Sequence, residues 1–335
     1  MGAAKDMKVE EVASTPVAED KYIIEGVSLW KDAWKKLRKN KAAMISAYVV
    51  VAMTLLCVFG PLLLSKLFGY DFSTQDLAYG SKPPSLAHPF GTDYFGRDLL
   101  TRTLVGGSIS LMVGFIAATV AAIIGTIFGA VSGFFGGKVD NVMMRFVDVL
   151  YALPYLFLVI ILVTVIEDVN VGAIFDPINK ISEVLMGLKI FEGRLILLFV
   201  ALGFVGWLTT ARIVRGQILS IKQQEFVHAA HSIGVSNINI IFKHLIPNTL
   251  GTIIVYFTLT VPSMIMQEAF LSFIGLGIQP PNPSLGSLIS EGAKQMQLYW
   301  WTLVFPSTFL AILLFCLNFM GDGLRDALDP KERKD

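Results

Sequence analysis

Four charged side chains lie inside or close to long apolar stretches of the sequence: Arg145, Asp148, Arg212 and Glu268. A charge in membrane hydrocarbon is costly unless it is paired or faces water, and such residues often mark transport paths or proton relays. Arg145 and Asp148 are three residues apart, so the simplest prediction is an ion pair along one helix face. Glu268 has no partner nearby in the sequence. For this residue we favour a hydrogen bond to a neighbouring helix, slightly ahead of a role in lining a path.

The other candidates for chemistry are weak. His228 and His231 have a spacing that suits metal ligands on a helix, but no His-Glu-x-x-His pattern and no cysteine lies nearby. The nearest approach to a phosphate-binding loop, Gly136-Gly137-Lys138, lacks the leading glycine and the hydroxyl residue that should follow the lysine. Cys57 and Cys316 lie in apolar runs, which excludes a disulfide framework. We therefore predict no metal site and no cofactor on this chain.

The composition indicates a membrane protein. Of 335 residues 54% are apolar and 16% charged, with a mean hydropathy of +0.64, whereas soluble domains carry about 25% charged residues. The formal net charge of +1 provides no field to attract nucleic acid. The gaps between apolar runs are too short for a nucleotide-hydrolysing domain of roughly 100 residues or more. Nucleic-acid binding and a soluble catalytic domain are therefore not expected.

Six apolar runs are long enough to cross a bilayer, which takes roughly 20 residues of helix. They cover 42–64, 108–135, 142–166, 195–215, 250–277 and 300–320. Lysine and arginine concentrate at the cytoplasmic ends of spans. With the N-terminus inside, thirteen of them lie at cytoplasmic ends and eight in outer loops. We predict an all-α polytopic membrane protein, with six spans between residues 42 and 322 and both termini in the cytoplasm.

The segments that flank the spans differ in character. Residues 1–27 are polar and lack periodicity, which predicts a disordered cytoplasmic tail. Residues 28–41 place two tryptophans and a leucine on one face and basic residues on the other. This pattern is typical of an amphipathic helix in the inner membrane interface. Residues 323–335 are predicted to form a second cytoplasmic tail.

Two features of the spans predict how they pack and bend. Small residues recur at every third or fourth position of the second span, which lets helix backbones approach closely in lipid. They are Ser110, Gly114, Ala118, Ala122, Gly125, Gly129 and Gly133. The second span is therefore predicted to be central. Pro154 in the third span and Pro262 in the fifth each remove a backbone hydrogen bond, so both helices are expected to bend.

The predicted external loop, residues 67–107, contains two acid–base pairs four residues apart: Asp93 with Arg97, and Asp98 with Arg102. This order is favourable on a helix. Asp93 or the threonine before it can cap the helix start. We predict a short external helix that leads into the second span.

The predicted cytoplasmic loop, residues 219–248, has the pattern of a helix, a break at Gly234, a second helix and a stop at Pro247. The first helix is expected to expose the small residues Ala229 and Ala230, where a partner could approach closely. The loop is therefore a candidate contact surface on the inner side of the membrane.

The same loop resembles the signature of bacterial ATP-binding-cassette importer permeases: Glu-Ala-Ala, three residues, Gly, nine residues, Ile-x-Leu-Pro. Ala229, Ala230, Gly234 and Pro247 match in register, whereas His228, His244 and Ile246 replace the family residues. Glu225-Phe226-Val227 before the alanines and His244-x-x-Pro247-Asn248 at the end are similar to the oligopeptide and dipeptide branch.

Four further motifs of that branch occur in order. They are Gly91-Thr92-Asp93-x-x-Gly96-Arg97-Asp98, Ala211-Arg212-x-x-Arg215-Gly216-Gln217, Leu271-Ser272-Phe273-Ile274-Gly275-Leu276-Gly277 and Gly321-Asp322-Gly323-Leu324-Arg325-Asp326-Ala327-Leu328-Asp329-Pro330. The resemblance covers roughly residues 30–330. The stretch 167–194 looks longer than is usual in this family, and nothing is carried over for it.

The resemblance implies the six-helix fold of type I importer permeases and a non-catalytic C-type permease subunit in the bacterial inner membrane. It implies four kinds of partner: a second, B-type permease, two ATPase subunits that hold ATP and Mg²⁺, an external peptide-binding protein and a peptide substrate. The ATPase-coupling residues that it implies are Glu225, His228, Ala229, Ala230, Gly234, His244 and Pro247. Three points stay open: the length of the peptide, whether nickel or a sugar replaces peptide as the substrate, and which ATPase subunit binds this chain.

Two other functions are consistent with the residues alone. A proton-coupled carrier that works alone would use Glu268 as its relay. An intramembrane enzyme is a weaker alternative, because no nucleophile–base pair or metal-ligand cluster is evident. Purification in mild detergent separates these alternatives, because a carrier is expected to purify as a lone chain.

Overall fold

The computed structural model describes residues 29–167 and 193–328. Within these ranges the chain is helical apart from connecting loops, and the one β-bridge joins Thr92 to Asp98. The predicted tail 1–27 lies outside the described residues, as does nearly all of the stretch 167–194. The all-α class predicted from the sequence is confirmed for the part of the chain that the structure describes.

Ten helical segments follow one another in these ranges. They are α1 (Leu29–Lys39), α2 (Lys41–Phe68), α3 (Leu99–Phe135), α4 (Gly137–Ala152), α5 (Tyr155–Glu167), α6 (Gly193–Ile221), α7 (Glu225–Ser232), α8 (Asn237–Phe273), α9 (Leu285–Gln295) and α10 (Trp301–Leu328). Five of them are long and apolar enough to cross a membrane: α2, α3, α6, α8 and α10. The last helix continues to Leu328, so the beginning of the predicted tail 323–335 is helical.

The third predicted span, 142–166, is interrupted rather than merely bent. Helix α4 ends at Ala152, Leu153 is extended at φ −80° and ψ 135°, and α5 begins at Tyr155. Pro154 contributes to the interruption, because a proline disfavours the helical conformation of the residue before it and has no N–H to donate. Pro262, by contrast, lies within the continuous helix α8.

Helix α3 is central, as the stripe of small residues predicts. Its glycines let the α6 backbone approach closely: a Cβ on Gly129 would lie 2.4 Å from the carbonyl oxygen of Ala211. Nearer the start of the same stripe, a Cβ on Gly114 would lie 2.3 Å from the side chain of Ile265 in α8. Since lipid gives helices no hydrophobic reason to associate, this close packing is what holds α6 and α8 against α3.

The predicted amphipathic helix is present as α1, which packs against the end of α10. A Cβ on Gly323 of α10 would lie 3.4 Å from the Leu37 side chain of α1, and 2.2 Å from the Cβ of Ala43 at the start of α2. Trp34 is half exposed, with the Arg38 guanidinium 5.1 Å from its ring centre. The position of α1 in the membrane interface stays a prediction.

Candidate functional site

The 219–248 loop folds into two short helical arms that meet at Gly234. This glycine has φ +83°, a conformation that side chains rarely adopt. Ser236 then caps the second arm by accepting a hydrogen bond from the Asn239 N–H. The predicted order of helix, break and helix is therefore confirmed.

One side of the loop is packed onto the membrane-spanning helices. Val227 and Ala230 of α7 are buried together with Ile240, Ile241 and Leu245, against Ala130 of α3 and Val214 and Ile218 of α6. The prediction that both alanines are exposed is wrong for Ala230, because this side chain faces the core, while Ala229 is exposed. The loop is thus joined to α3 and α6 by an apolar core of its own.

Three large apolar side chains of the loop are uncovered, among exposed polar ones. Ile233 is 80%, Ile238 68% and Phe242 50% exposed. Large apolar side chains that stay exposed outside the spans suggest a protein-contact site. The motif comparison did not identify these three residues, although apolar residues close to a turn glycine are a readable signal.

The predicted stop at Pro247 is wrong, because the helix continues through it. Residues Ile240–Leu245 form a π-helix, and the Ile246 N–H donates to the Ile241 carbonyl. The wider turn absorbs the proline, which cannot donate and would clash with a carbonyl in a regular α-helix. The side-chain amide of Asn248 donates to the His244 carbonyl at 2.7 Å. The second arm and the fifth span are therefore one continuous helix, α8.

The polar residues of the loop lie apart from one another. Glu225 is in the first turn of α7, His228 is exposed, and the His231 ring stacks on Phe134 at 6.0 Å. Within residues 29–167 and 193–328, no three His, Cys, Asp or Glu side chains are grouped so that they could hold a metal ion. The absence of a metal site and of a cofactor stays a prediction.

The expected Arg145–Asp148 ion pair is wrong. Asp148 pairs with Arg212 of α6 at 2.7 Å, and the Arg212 guanidinium lies 4.0 Å from the ring centre of Tyr151. Arg145 has the right spacing, but the rotation of α4 directs Asp148 towards α6. Both partners of the pair are partly exposed, Arg212 at 44% and Asp148 at 55%, on the side of α4 and α6 that this chain leaves uncovered.

A second charged cluster, which the sequence analysis missed, lies nearer the loop. Arg215 donates two hydrogen bonds of 2.5 Å to Asp140, which also accepts one from Ser132. Asp140 precedes the predicted span 142–166. The hydrogen bonds from Arg215 hold the pKa of the Asp140 carboxyl below its usual value, against the opposing effect of burial. Lys222 donates to the Gly133 carbonyl at 2.8 Å and so caps α3. The cluster joins α3, α4 and α6 to one another, and Lys222 ties the start of the loop to the end of α3.

Glu268 is fully buried and hydrogen-bonded between helices. Its two oxygens accept from Ser110 of α3 and from Ser272, each at 2.7 Å, and Ser284 is a third hydroxyl partner. The same serines bind backbone: Ile278 donates to Ser272 at 3.2 Å and Leu285 to Ser110 at 3.3 Å. The interhelical hydrogen bond favoured from the sequence is present, and it fixes the connection between α8 and α9.

The external motif is a folded loop and not the predicted helix. The Asp93–Arg97 pair is present at 2.7 Å, but Arg102 pairs with Asp93 at 2.6 Å and with Glu291 of α9 at 2.9 Å, instead of with Asp98. Asp98 caps α3 by accepting from the Thr101 N–H at 2.7 Å. Positive-φ glycines at 91 and 96 prevent a helix across this segment. The loop is held by a buried charge network that includes α9.

The helices described above define a polytopic helical membrane protein with a tightly packed core and an uncovered apolar loop. A family model described as "Binding-protein-dependent transport system inner membrane component" matches residues 125–334. Residues 28–84 match the model described as "N-terminal TM domain of oligopeptide transport permease C". Both matches agree with the family resemblance of the motifs.

Curated relatives match nearly the whole chain. The oligopeptide transport system permease protein OppC of Escherichia coli strain K12 is 49% identical, over 94% of this chain and 95% of its own length. The Bacillus subtilis protein OppC is 41% identical over 97% of both chains, and DppC of the same organism, a dipeptide transport system permease protein, is 43% identical over 92% and 88%. Among solved structures, an inward-facing MetNI methionine ABC transporter aligns at a TM-score of 0.44 and 16% identity, over 69% of this chain and 96% of that chain.

The chain belongs to the binding-protein-dependent transport permeases, in the oligopeptide and dipeptide branch. It is a permease subunit and a multi-pass protein of the inner membrane. The resemblance stated from the motifs is thereby confirmed.

Proposed function

We propose that this chain forms half of the translocation path of an ATP-driven importer of oligopeptides or dipeptides. The observation that carries the proposal is the uncovered surface of Ile233, Ile238 and Phe242 on a loop packed onto α3 and α6. A partner that binds this surface can move the spans, because the loop is packed rigidly against them. The peptide substrate follows from the names of the relatives.

In this proposal the 219–248 loop couples the spans to an ATPase subunit. Closure of the ATPase displaces the loop, and the packed helices rock between two access states. The residues assigned to coupling are Glu225, His228, Ala229, Ala230, Gly234, His244 and Pro247. Ala230 acts from the buried side, where it holds α7 against the spans, and Pro247 acts through the π-helical turn of α8.

The partners proposed are a B-type permease, two ATPase subunits and an external peptide-binding protein. ATP and Mg²⁺ belong to the ATPase subunits, and this chain is not itself an enzyme. The partly exposed Asp148–Arg212 pair supports a second permease or an aqueous path on that side. An ion pair at such a position is not expected to face lipid.

The proposed membrane arrangement has six spans, with α4 and α5 together as the third, and both termini in the cytoplasm. It predicts that Ser73 is outside and Ser236 inside; both are exposed. In a variant without Cys57 and Cys316, a cysteine at position 73 should react with an impermeant maleimide applied to right-side-out vesicles. A cysteine at position 236 should react only after permeabilisation. The reverse pattern would contradict the arrangement.

Purification and reconstitution test the function. The chain is expressed together with its partners and extracted in mild detergent. It should then purify with a second permease and ATPase subunits. In proteoliposomes with the binding protein, this complex should take up a radiolabelled alanine tripeptide only when ATP is supplied on the ATPase side. Uptake by the lone chain, driven by a proton gradient, would reject the proposal in favour of a carrier.

A further inference from the structure

A cavity of about 490 Å³ opens where the third span is interrupted. Its walls are the α4–α5 junction at Leu153 and Pro154, together with α6 and α8. The volume lies within the range of about 300–1,000 Å³ that is usual for small-molecule sites. The cavity is therefore large enough to hold part of a short peptide.

The position of the cavity explains why it cannot face lipid. Leu153 is fifteen residues after Lys138, which corresponds to about 22 Å of helix and, in the proposed arrangement, places the junction within the hydrocarbon core of about 30 Å, in its outer half. Non-helical backbone at that depth is tolerated only where protein buries it or where it lines a water-filled space. Leu153 and Pro154 are exposed in this chain, so the junction faces a partner or water.

The lining combines apolar side chains with hydroxyl, aromatic and amide groups. The hydroxyls of Tyr151 and Thr209 are 2.5 Å apart, the Tyr155 hydroxyl is hydrogen-bonded to the Gln267 side chain, and Gln267 donates to Ser263 at 3.2 Å. None of the described residues that line the cavity carries a formal charge. The Arg212 guanidinium, which is paired with Asp148, lies 4.0 Å from the ring centre of Tyr151, so a charge-balanced ion pair borders the cavity at this end.

We propose that this cavity is a contact site for the peptide during translocation. Amide, hydroxyl and aromatic groups can hydrogen-bond to peptide main chain and pack on side chains without selecting one charge. The cavity would therefore favour the shared backbone of peptides over any particular side chain. This inference rests on the proposed function. It adds the place where the peptide binds and the reason why peptides with different side chains are accepted there.

Site-specific photocrosslinking in the complete transporter tests the inference. We would place p-benzoylphenylalanine at Tyr151 and, separately, at Leu153, with Phe315 as the matched control. Phe315 is 65% exposed on α10, which does not line the cavity. Irradiation during ATP-driven uptake of the labelled alanine tripeptide should label the Tyr151 or Leu153 variant and leave the Phe315 variant unlabelled.

Three results would overturn the site: transport without labelling at either position, equal labelling at Phe315, or crosslinks to the second permease instead of the peptide. Should both variants be inactive, Ser263→Trp, compared with Phe315→Trp, provides a second test. Ser263→Trp should lose most tripeptide uptake while the complex still assembles, and unchanged uptake would reject the site. Failure of the unmodified complex to transport the tripeptide would reject the proposed function itself.

Discussion

Gly234→Arg is expected to remove most of the ATP-driven peptide uptake, while the chain still inserts into the membrane and folds. No atom lies within 4 Å of a Cβ built at this position, so the effect does not come from a clash inside the chain. It comes from the φ of +83°, which costs a non-glycine residue about 1–3 kcal/mol, and from a long charged side chain beside the apolar surface. Loss of an interface contact worth about 2 kcal/mol lowers affinity roughly 30-fold.

Two further variants separate coupling from general strain. Gly69→Arg introduces the same side chain at φ +71° with equally open surroundings, at the other end of α2 from the cytoplasmic interface, and should keep normal uptake. Gly234→Asn should keep most uptake, because asparagine tolerates this backbone conformation. The measurements are tripeptide uptake and recovery of the ATPase with the purified complex. If Gly234→Arg shows normal tripeptide uptake and normal recovery of the ATPase, the loop does not have the proposed coupling role.

Glu268→Leu is expected to destabilise the chain strongly, whereas Glu268→Gln should leave it functional. The leucine variant leaves the buried hydroxyls of Ser110 and Ser272 without their acceptor. Each buried polar group left unpaired costs about 1–3 kcal/mol, so a total loss of about 2–6 kcal/mol is expected for the two serines. Glutamine has nearly the same size, keeps one acceptor oxygen for one serine, and can donate from its amide NH2 to the hydroxyl oxygen of the other. Thermal unfolding in detergent measures the difference.

The glutamine variant also distinguishes a structural role from a proton relay. A relay needs a group whose proton affinity changes between access states, while an ATP-driven permease needs only closure of its partner. With Glu268→Gln, ATP-dependent uptake should persist, and collapse of the proton gradient should not affect the wild type. Uptake that follows the gradient, needs no ATP and vanishes in Glu268→Gln would establish the carrier in place of the importer.

Several features of this protein could be predicted from the sequence because they depend on local composition. Apolar runs and the spacing of small residues predicted the long helices and the central position of α3. Gly234 predicted the turn of the 219–248 loop, since few other residues adopt its backbone conformation. The family followed from five short motifs in order. Each of these signals is contained in a stretch of neighbouring residues.

Other features were decided only by the tertiary structure. Asp148 pairs with Arg212, sixty-four positions away, instead of with nearby Arg145, and the acceptor for Ser110 is Glu268 on another helix. The outer loop folds around Asp93 because Glu291 of α9 completes its charge network. The physical reason is common to all three. In lipid, the rotation of each helix is set by close packing against its neighbours and not by a hydrophobic face, so which polar groups meet depends on all the helices together.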